Sequence, residues 1–205
     1  MKMNDIINYL NELYPNPSCE LNYNKDYELL IAVMLSAQST DKRVNQVTSI
    51  LFNKYKTIDE LYNADIEDIR NIIKPVGNQN KKAIYIKDIA NFVKNNKITN
   101  DRTKLESING IGRKTTNLVL GLLFNEQCLP VDTHVKRVST RLNLVNEKDN
   151  VDIIEKKLTK KFKNYDLVRL HLQLVLFGRY KCKAIKPLCN DCKFKNICKR
   201  TVTDK

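Results

Sequence analysis

The sequence predicts an all-α fold, and three observations carry that expectation. Apolar residues recur at three- and four-residue spacing along most of the chain. No stretch alternates apolar and polar residues for long enough to read as a half-buried strand. Residues able to cap helices stand ahead of several apolar stripes. The helices are expected to pack as a globule rather than an idealised bundle.

Tyr27 to Gln38 (YELLIAVMLSAQ) is so evenly apolar that a helix there must be buried on most sides. Asp41 is the expected cap of the next helix, which carries Val44, Val47, Leu51 and Tyr55. Thr57 and Glu60 have capping-box spacing ahead of Leu61. Asp65 is placed to cap a short helix bearing Ile66, Ile69 and Ile73, which Pro75 ends. Residues 76–80 (VGNQN) read as a loop into a helix with Ile86, Ile89, Ala90 and Val93. Further helices are expected at 102–108, 114–124, 133–143, 151–163 and 166–179. Val151, Ile154, Leu158 and Phe162 form one stripe, and Leu167, Leu170, Leu174 and Phe177 another. No internal repeat and no Gly/Pro/Ser-rich linker marks a domain boundary.

The 205 residues are ample for a buried core in one large or two small domains. With 42% apolar residues and only five Gly and five Pro, disordered, collagen-like and low-complexity classes are excluded. No apolar run reaches the ~18 residues that a membrane helix needs. The N-terminal MKMNDIINYLNELYP lacks the layout of a signal peptide. A soluble intracellular protein without a membrane partner is expected. Lys plus Arg outnumber Asp plus Glu by 36 to 23, a net +13 that points to a polyanionic partner. The first 30 residues hold five acidic residues against Lys2 and Lys25, whereas 181–200 holds seven basic residues against Asp191. The basic surface is therefore expected near the C-terminus.

Four of the six cysteines, Cys182, Cys189, Cys192 and Cys198, fall within 17 residues as C-x6-C-x2-C-x5-C. In a reducing compartment that crowding reads as a metal site rather than a disulfide framework. Four thiolates suit tetrahedral zinc or an iron–sulfur cluster. Only one of the spacings is a short knuckle, which favours the cluster over zinc. The segment is polar and short, so a metal centre is expected to supply its folding energy. Cys19 and Cys128 stand apart and are expected to be buried, inert thiols.

Residues 105–115 (LESINGIGRKT) join two short helices through Gly110-Ile111-Gly112. Glycine permits positive φ and leaves backbone N–H groups open to an anion, and the following helix N-terminus adds its dipole. This pattern grips a DNA phosphate without reading sequence. Arg113 and Lys114 add positive charge, and Ile108 and Ile111 supply apolar anchors. A helix C-cap glycine followed by an ordinary turn is the plainer alternative.

Lys114 opens the helix after this hairpin, and Asp132, in LPVDTHV, follows 18 residues later. A lysine amine becomes nucleophilic when desolvated or set beside other cations. A nearby carboxylate can take its proton and stabilise positive charge on a sugar, as in glycoside hydrolysis. Taken singly, Lys114 reads as a phosphate contact and Asp132 as an N-cap of the 133–143 helix; Asp132 can do both jobs. His134 and His171 read as packed or hydrogen-bonding residues rather than catalysts.

With these residues in place, the chain resembles the endonuclease III family of helix–hairpin–helix DNA glycosylases from residue 20 to Cys198. The matching motifs are LLIAVMLSAQSTD (29–41), NGIGRKTTN (109–117), VDTHVKRV (131–138), GRYKC (178–182) and the four-cysteine spacing. The resemblance implies two helical domains flanking a DNA-binding cleft. One is a six-helix domain, 19–126, with the helix–hairpin–helix at about 102–121. The other is discontinuous, 1–18 plus 127–205, and holds a [4Fe–4S] cluster on the four cysteines. It implies a monomer acting on damaged double-stranded DNA, cytoplasmic and, in a prokaryote, nucleoid-associated. An oxidised pyrimidine nucleotide is flipped out, Lys114 attacks C1′ and expels the base, and Asp132 assists. The Schiff base then undergoes β-elimination 3′ to the abasic site. The resemblance further assigns Gln38 to the gap left by the flipped nucleotide, Gly110, Gly112 and Arg113 to DNA phosphate, and Lys186 to a phosphate contact.

Two residues depart from the family pattern. Asn78 stands where an apolar wedge, often Leu, enters the base stack, so weaker opening or altered opposite-base preference is expected. Asn109 replaces a proline common before the hairpin glycine, a loss of preorganisation rather than of chemistry. An adenine glycosylase of the same superfamily would lack Lys114 and carry a further C-terminal domain, for which the seven residues after Cys198 leave no room. A mismatch-directed thymine glycosylase would have a different residue at 114. A non-catalytic DNA-binding or redox-sensing protein would keep the hairpin and cysteines without the pair Lys114 and Asp132.

Overall fold

The computed structural model describes residues 3–199. Lys2 and Arg200, which enter the charge pattern above, lie outside the described residues. Among the described residues there are α-helices, short 3-10 and π turns and no strand, so the fold is all-α. The chain divides into two compact units. One is the continuous segment Cys19–Phe124; the other joins the N-terminal segment through Ser18 to the segment from Asn125 onward.

The continuous unit holds α2 (Asp26–Leu35), α3 (Asp41–Lys54), α4 (Ile58–Asn63), α5 (Ile66–Ile73), α6 (Gln79–Asn95), α7 (Arg102–Glu106) and α8 (Arg113–Phe124); α1 belongs to the other unit. Every residue from Tyr27 to Leu35 is buried, as an evenly apolar helix requires. The helix stops at Leu35, three residues short of the sequence expectation. The Ser36 hydroxyl donates to the Val33 carbonyl at 2.7 Å, and Gln38 takes φ 58°, a left-handed conformation that no α-helix continues. Thr40, not Asp41, caps α3, its hydroxyl accepting from the Arg43 N–H at 3.4 Å. The capping box Thr57–Glu60 and the Asp65 cap form as the sequence predicts. Pro75 lies in a 3-10 turn, Lys74–Val76, just past the end of α5.

The discontinuous unit holds α1 (Met3–Leu13), α9 (Thr133–Arg141), α10 (Val151–Lys161) and α11 (Leu167–Leu176), followed by a π turn, Phe177–Lys181, and the cysteine segment. The sequence reading did not identify α1, yet Ile6, Tyr9 and Leu10 of α1 bury their side chains against Val135, Val138, Leu158, Phe162, Leu170 and Leu174. Those contacts explain why the N-terminal segment belongs to this unit despite its distance in sequence. Gly178 lets the π turn press onto α9, where an added Cβ would fall 2.8 Å from the His134 Cβ. No described helix is long and apolar enough to cross a membrane.

Candidate functional site

In the continuous unit, α7 and α8 flank the hairpin Ser107–Gly112. Ile108 and Ile111 are buried anchors, and the Ile111 N–H donates to the Ile108 carbonyl at 3.0 Å. Gly110 takes φ 84° and sits directly against Tyr85 of α6. Gly112 has open space where a Cβ would stand, so nothing in the protein itself requires glycine there. Asn109, the departure from proline, donates its side-chain amide to Asp88 at 2.9 Å and so ties the hairpin to α6. The Arg102 guanidinium donates to Asn117 at 2.7 Å, holding α7 to α8. Lys114 is exposed in the first turn of α8 beside exposed Arg113. The first N–H groups of a helix have no partners within it, so this corner presents donors and two cations to an anion.

Two more turns of this unit carry left-handed residues at exposed tips. Gln38 lies at φ 58° after α2, and Asn78 at φ 50° is the N-cap residue of α6, its side chain making no cap bond. Asn is among the few non-glycine residues that accept this conformation, which gives Asn78 a backbone role where the family pattern has an apolar residue.

Asp132 and Lys186 belong to the discontinuous unit. Asp132 caps α9, accepting from the Val135 N–H at 2.7 Å, and is half-buried. The capping job read from the sequence is therefore real. His134 Nδ1 lies 3.1 Å from the Arg137 guanidinium, and buried His171 Nδ1 lies 2.8 Å from the Pro130 carbonyl. Both histidines serve hydrogen bonding, as expected. Cys19 and Cys128 are half-buried rather than buried, because each sits at the edge of its unit beside a connecting segment.

The four clustered cysteines are half-buried and line one cavity of about 580 Å³, together with Arg141, Lys181, Lys186 and Lys195. Among the described residues no three His, Cys, Asp or Glu side chains are gathered closely enough to hold a metal ion as they stand. The donor chemistry nonetheless fits an anionic iron–sulfur cluster: four soft thiols around one partly open cavity, with cations in its wall. Burial pushes the Cys192 thiol up, and a backbone hydrogen bond and Lys181 act the other way. Lys186 is exposed at φ 49° between the first two cysteines.

The sequence reading missed the groups that hold this segment. Arg137 donates to the carbonyls of Cys182 at 3.1 Å and Gly178 at 2.7 Å. Arg141 reaches the Cys182 Sγ at 3.3 Å and the carbonyls of Lys183 and Ala184 at 2.7 and 3.2 Å. Their i, i+4 spacing on one helix was the available signal. Phe194 is 3% exposed and packs edge-on against Tyr9 and Phe177, at centroid separations of 4.8 and 5.7 Å. Phe194 thus anchors the segment in the core of the surrounding unit, a source of stability beside the metal centre that the sequence reading did not identify. The C-terminal positive charge is also partly offset, by Lys181–Asp191 at 3.0 Å and by Lys193–Glu12.

Comparison with known proteins gives the family of this fold. Residues 31–164 match the model of the HhH-GPD superfamily of base excision DNA repair proteins. The chain is 37% identical to endonuclease III of Bacillus subtilis (strain 168), over 93% of this chain and 88% of that one. It is 38% identical to endonuclease III of Escherichia coli (strain K12), over 95% and 93%. The structure of a trapped endonuclease III–DNA covalent intermediate superposes with a TM-score of 0.89 at 36% identity, covering 97% of both chains. A thermostable thymine-DNA glycosylase, at 21% identity and a TM-score of 0.82, shares the fold. The chain belongs to the endonuclease III family within the HhH-GPD superfamily of base excision DNA repair proteins.

Proposed function

We propose that the protein is a bifunctional DNA glycosylase and abasic-site lyase that removes oxidised pyrimidines from duplex DNA. The observation that carries this reading is Lys114, an exposed amine in the first turn of α8, directly behind a glycine hairpin suited to a phosphate. The backbone at Gly112 and the side chain of Arg113 hold the DNA strand. Gln38 and Asn78 occupy the space of the flipped nucleotide, and Lys186 contacts phosphate in the other unit. DNA closing over Lys114 strips its water and leaves the amine nucleophilic. The amine forms a bond to C1′ as the bond to the base breaks. Asp132 takes up the amine's proton and stabilises positive charge on the sugar. The C1′–O4′ bond then opens as the nitrogen lone pair forms the Schiff base, and O4′ takes the proton back from Asp132. The Schiff base makes the C2′ proton acidic, and its loss expels the 3′ phosphate. The protein works as a single chain, and its two units serve as the two domains of the family.

Cys182, Cys189, Cys192 and Cys198 hold a [4Fe–4S] cluster, which supplies a rigid cross-link for the C-terminal segment. Protein purified anaerobically is expected to contain about four irons per chain, and stoichiometric zinc without iron would refute the assignment. The reaction is tested by borohydride trapping on a duplex carrying oxidised thymine. A covalent adduct that vanishes in Lys114→Ala supports the lyase. Intact DNA binding without an adduct in the wild type sinks it in favour of a non-catalytic binder.

A further inference from the structure

Lys82 of α6 is a lysine on an apolar face, only 4% exposed. Its ammonium donates to three backbone carbonyls: Leu35 at 2.9 Å, Ala37 at 2.9 Å and Val76 at 3.0 Å. All three of its N–H donors are therefore spent. Among the described residues its hydrogen-bond partners are carbonyls and no carboxylate. Burial alone pushes the amine down from its ordinary value. A buried cation without a counter-ion is costly, so the fold retains it for what the carbonyls gain.

The positions of those carbonyls are informative. Leu35 ends α2, where the helix dipole welcomes a cation. Ala37 immediately precedes Gln38, and Val76 stands two residues before Asn78. The Lys82 backbone N–H also donates to the Asn78 carbonyl at 3.1 Å. One ammonium thus grips both turns, while the Asn78 carbonyl takes the ordinary first-turn bond of α6 that any non-proline residue at 82 would give. Both tips are exposed non-glycine residues at positive φ. Such conformations persist where the surroundings over-determine them. A helix cap alone would need carbonyls from α2 only; here a separate turn some 40 residues later is tied to the same ammonium.

We propose that Lys82 is a positioning residue that locks the tips at Gln38 and Asn78 into one rigid pair, so that both enter an opened duplex together. The proposal rests on the reading of Gln38 and Asn78 as DNA contacts. Its cost without Lys82 falls on opening the base stack, not on the chemistry at Lys114.

The test compares two probes in Lys82→Met, which keeps the stem and removes the donors. One is a duplex with oxidised thymine; the other is an abasic site in an unpaired loop, where no base pair has to open. Excision from the duplex is expected to fall at least about tenfold, the worth of one hydrogen bond to a charged group. Borohydride trapping of the looped site is expected to stay within about twofold. In a Gln38→Ala/Asn78→Ala background the same substitution should cost little more, since all three act as a unit. If Lys82→Met does not fold, Lys82→Gln, which keeps two donors, carries the comparison. Equal losses on both probes, or none on either, overturn the positioning role while the lyase stands. A wild type that traps neither probe overturns the lyase and this proposal with it.

Discussion

A Cβ built on Gly110 would lie 2.4 Å from the Tyr85 Cδ2 and 2.5 Å from its Cγ. Gly112, two residues on, would meet nothing. The two hairpin glycines therefore have different reasons to be glycine, and substitution should separate them. Gly110→Ala faces both the ring and a φ of 84°, and is expected to cost about 1–3 kcal/mol of stability by urea titration. Gly112→Ala should melt within about 0.5 kcal/mol of wild type and show its defect only as weaker binding to duplex DNA. Unchanged DNA affinity in Gly112→Ala would remove the hairpin from the interface.

The α8 corner should also report its phosphate contact through salt. Binding is expected to weaken steeply with ionic strength and to depend little on sequence. Arg113→Ala should lower the slope of log affinity against log salt by about 0.9, one phosphate's share. A parallel line displaced downward would mean that Arg113 acts through folding instead.

Tyr55 and Asp68 give the fold a signature at both ends of the pH scale. The Tyr55 hydroxyl donates to Asp68, whose other oxygen accepts from Lys54 at 2.6 Å. Burial first, then the Asp68 bond, pushes the Tyr55 phenol up to about 12 from 10.0. Its contribution to stability is thus complete below pH 10 and lost as pH rises through about 12. Hydrogen bonds from Lys54 and then Tyr55 hold the Asp68 carboxyl below its ordinary 3.8, so its contribution is present above that value and lost in stronger acid. Tyr55→Phe is expected to remove a step from the melting temperature between pH 10 and 12. Retention of the full alkaline step would assign it to another group.

Phe194 tests how the cysteine segment is held. Phe194→Ala should cost about 3–5 kcal/mol, the range for a fully buried phenylalanine. If the metal were the segment's only anchor, the variant would bind iron and unfold as the wild type does.

The helices were legible because periodicity and caps are local. The capping box at Thr57–Glu60 and the caps at Asp65 and Asp132 could be read outright. The end of α2 could not, since the left-handed turn at Gln38 is tied at the Ala37 carbonyl to Lys82, 45 residues further along than Ala37. Nor was α1 recognised: an eleven-residue helix is poorly stable by itself and is fixed by α11 and the Phe194 segment. Of the candidate site, the residues with chemical motifs were visible. The residues that hold them, Lys82, Tyr85, Arg137 and Arg141, were hidden because each works on backbone from another part of the chain. Lys82 left one trace, a cation four residues before Ile86 on the apolar stripe of α6.

The pairing of chain ends has a consequence for synthesis. The unit Cys19–Phe124 is complete while the ribosome is still translating the remainder, and can fold at once. Tyr9 must wait for Phe177 and then Phe194, separations of 168 and 185 residues, before its aromatic partners exist. Until the segment from Leu129 onward emerges, the apolar face of α1, with Ile6 and Leu10, has no partner from the rest of its own unit. The nascent chain therefore passes through a stage with one completed unit and one exposed helix. It becomes a whole protein only as the last cysteines emerge.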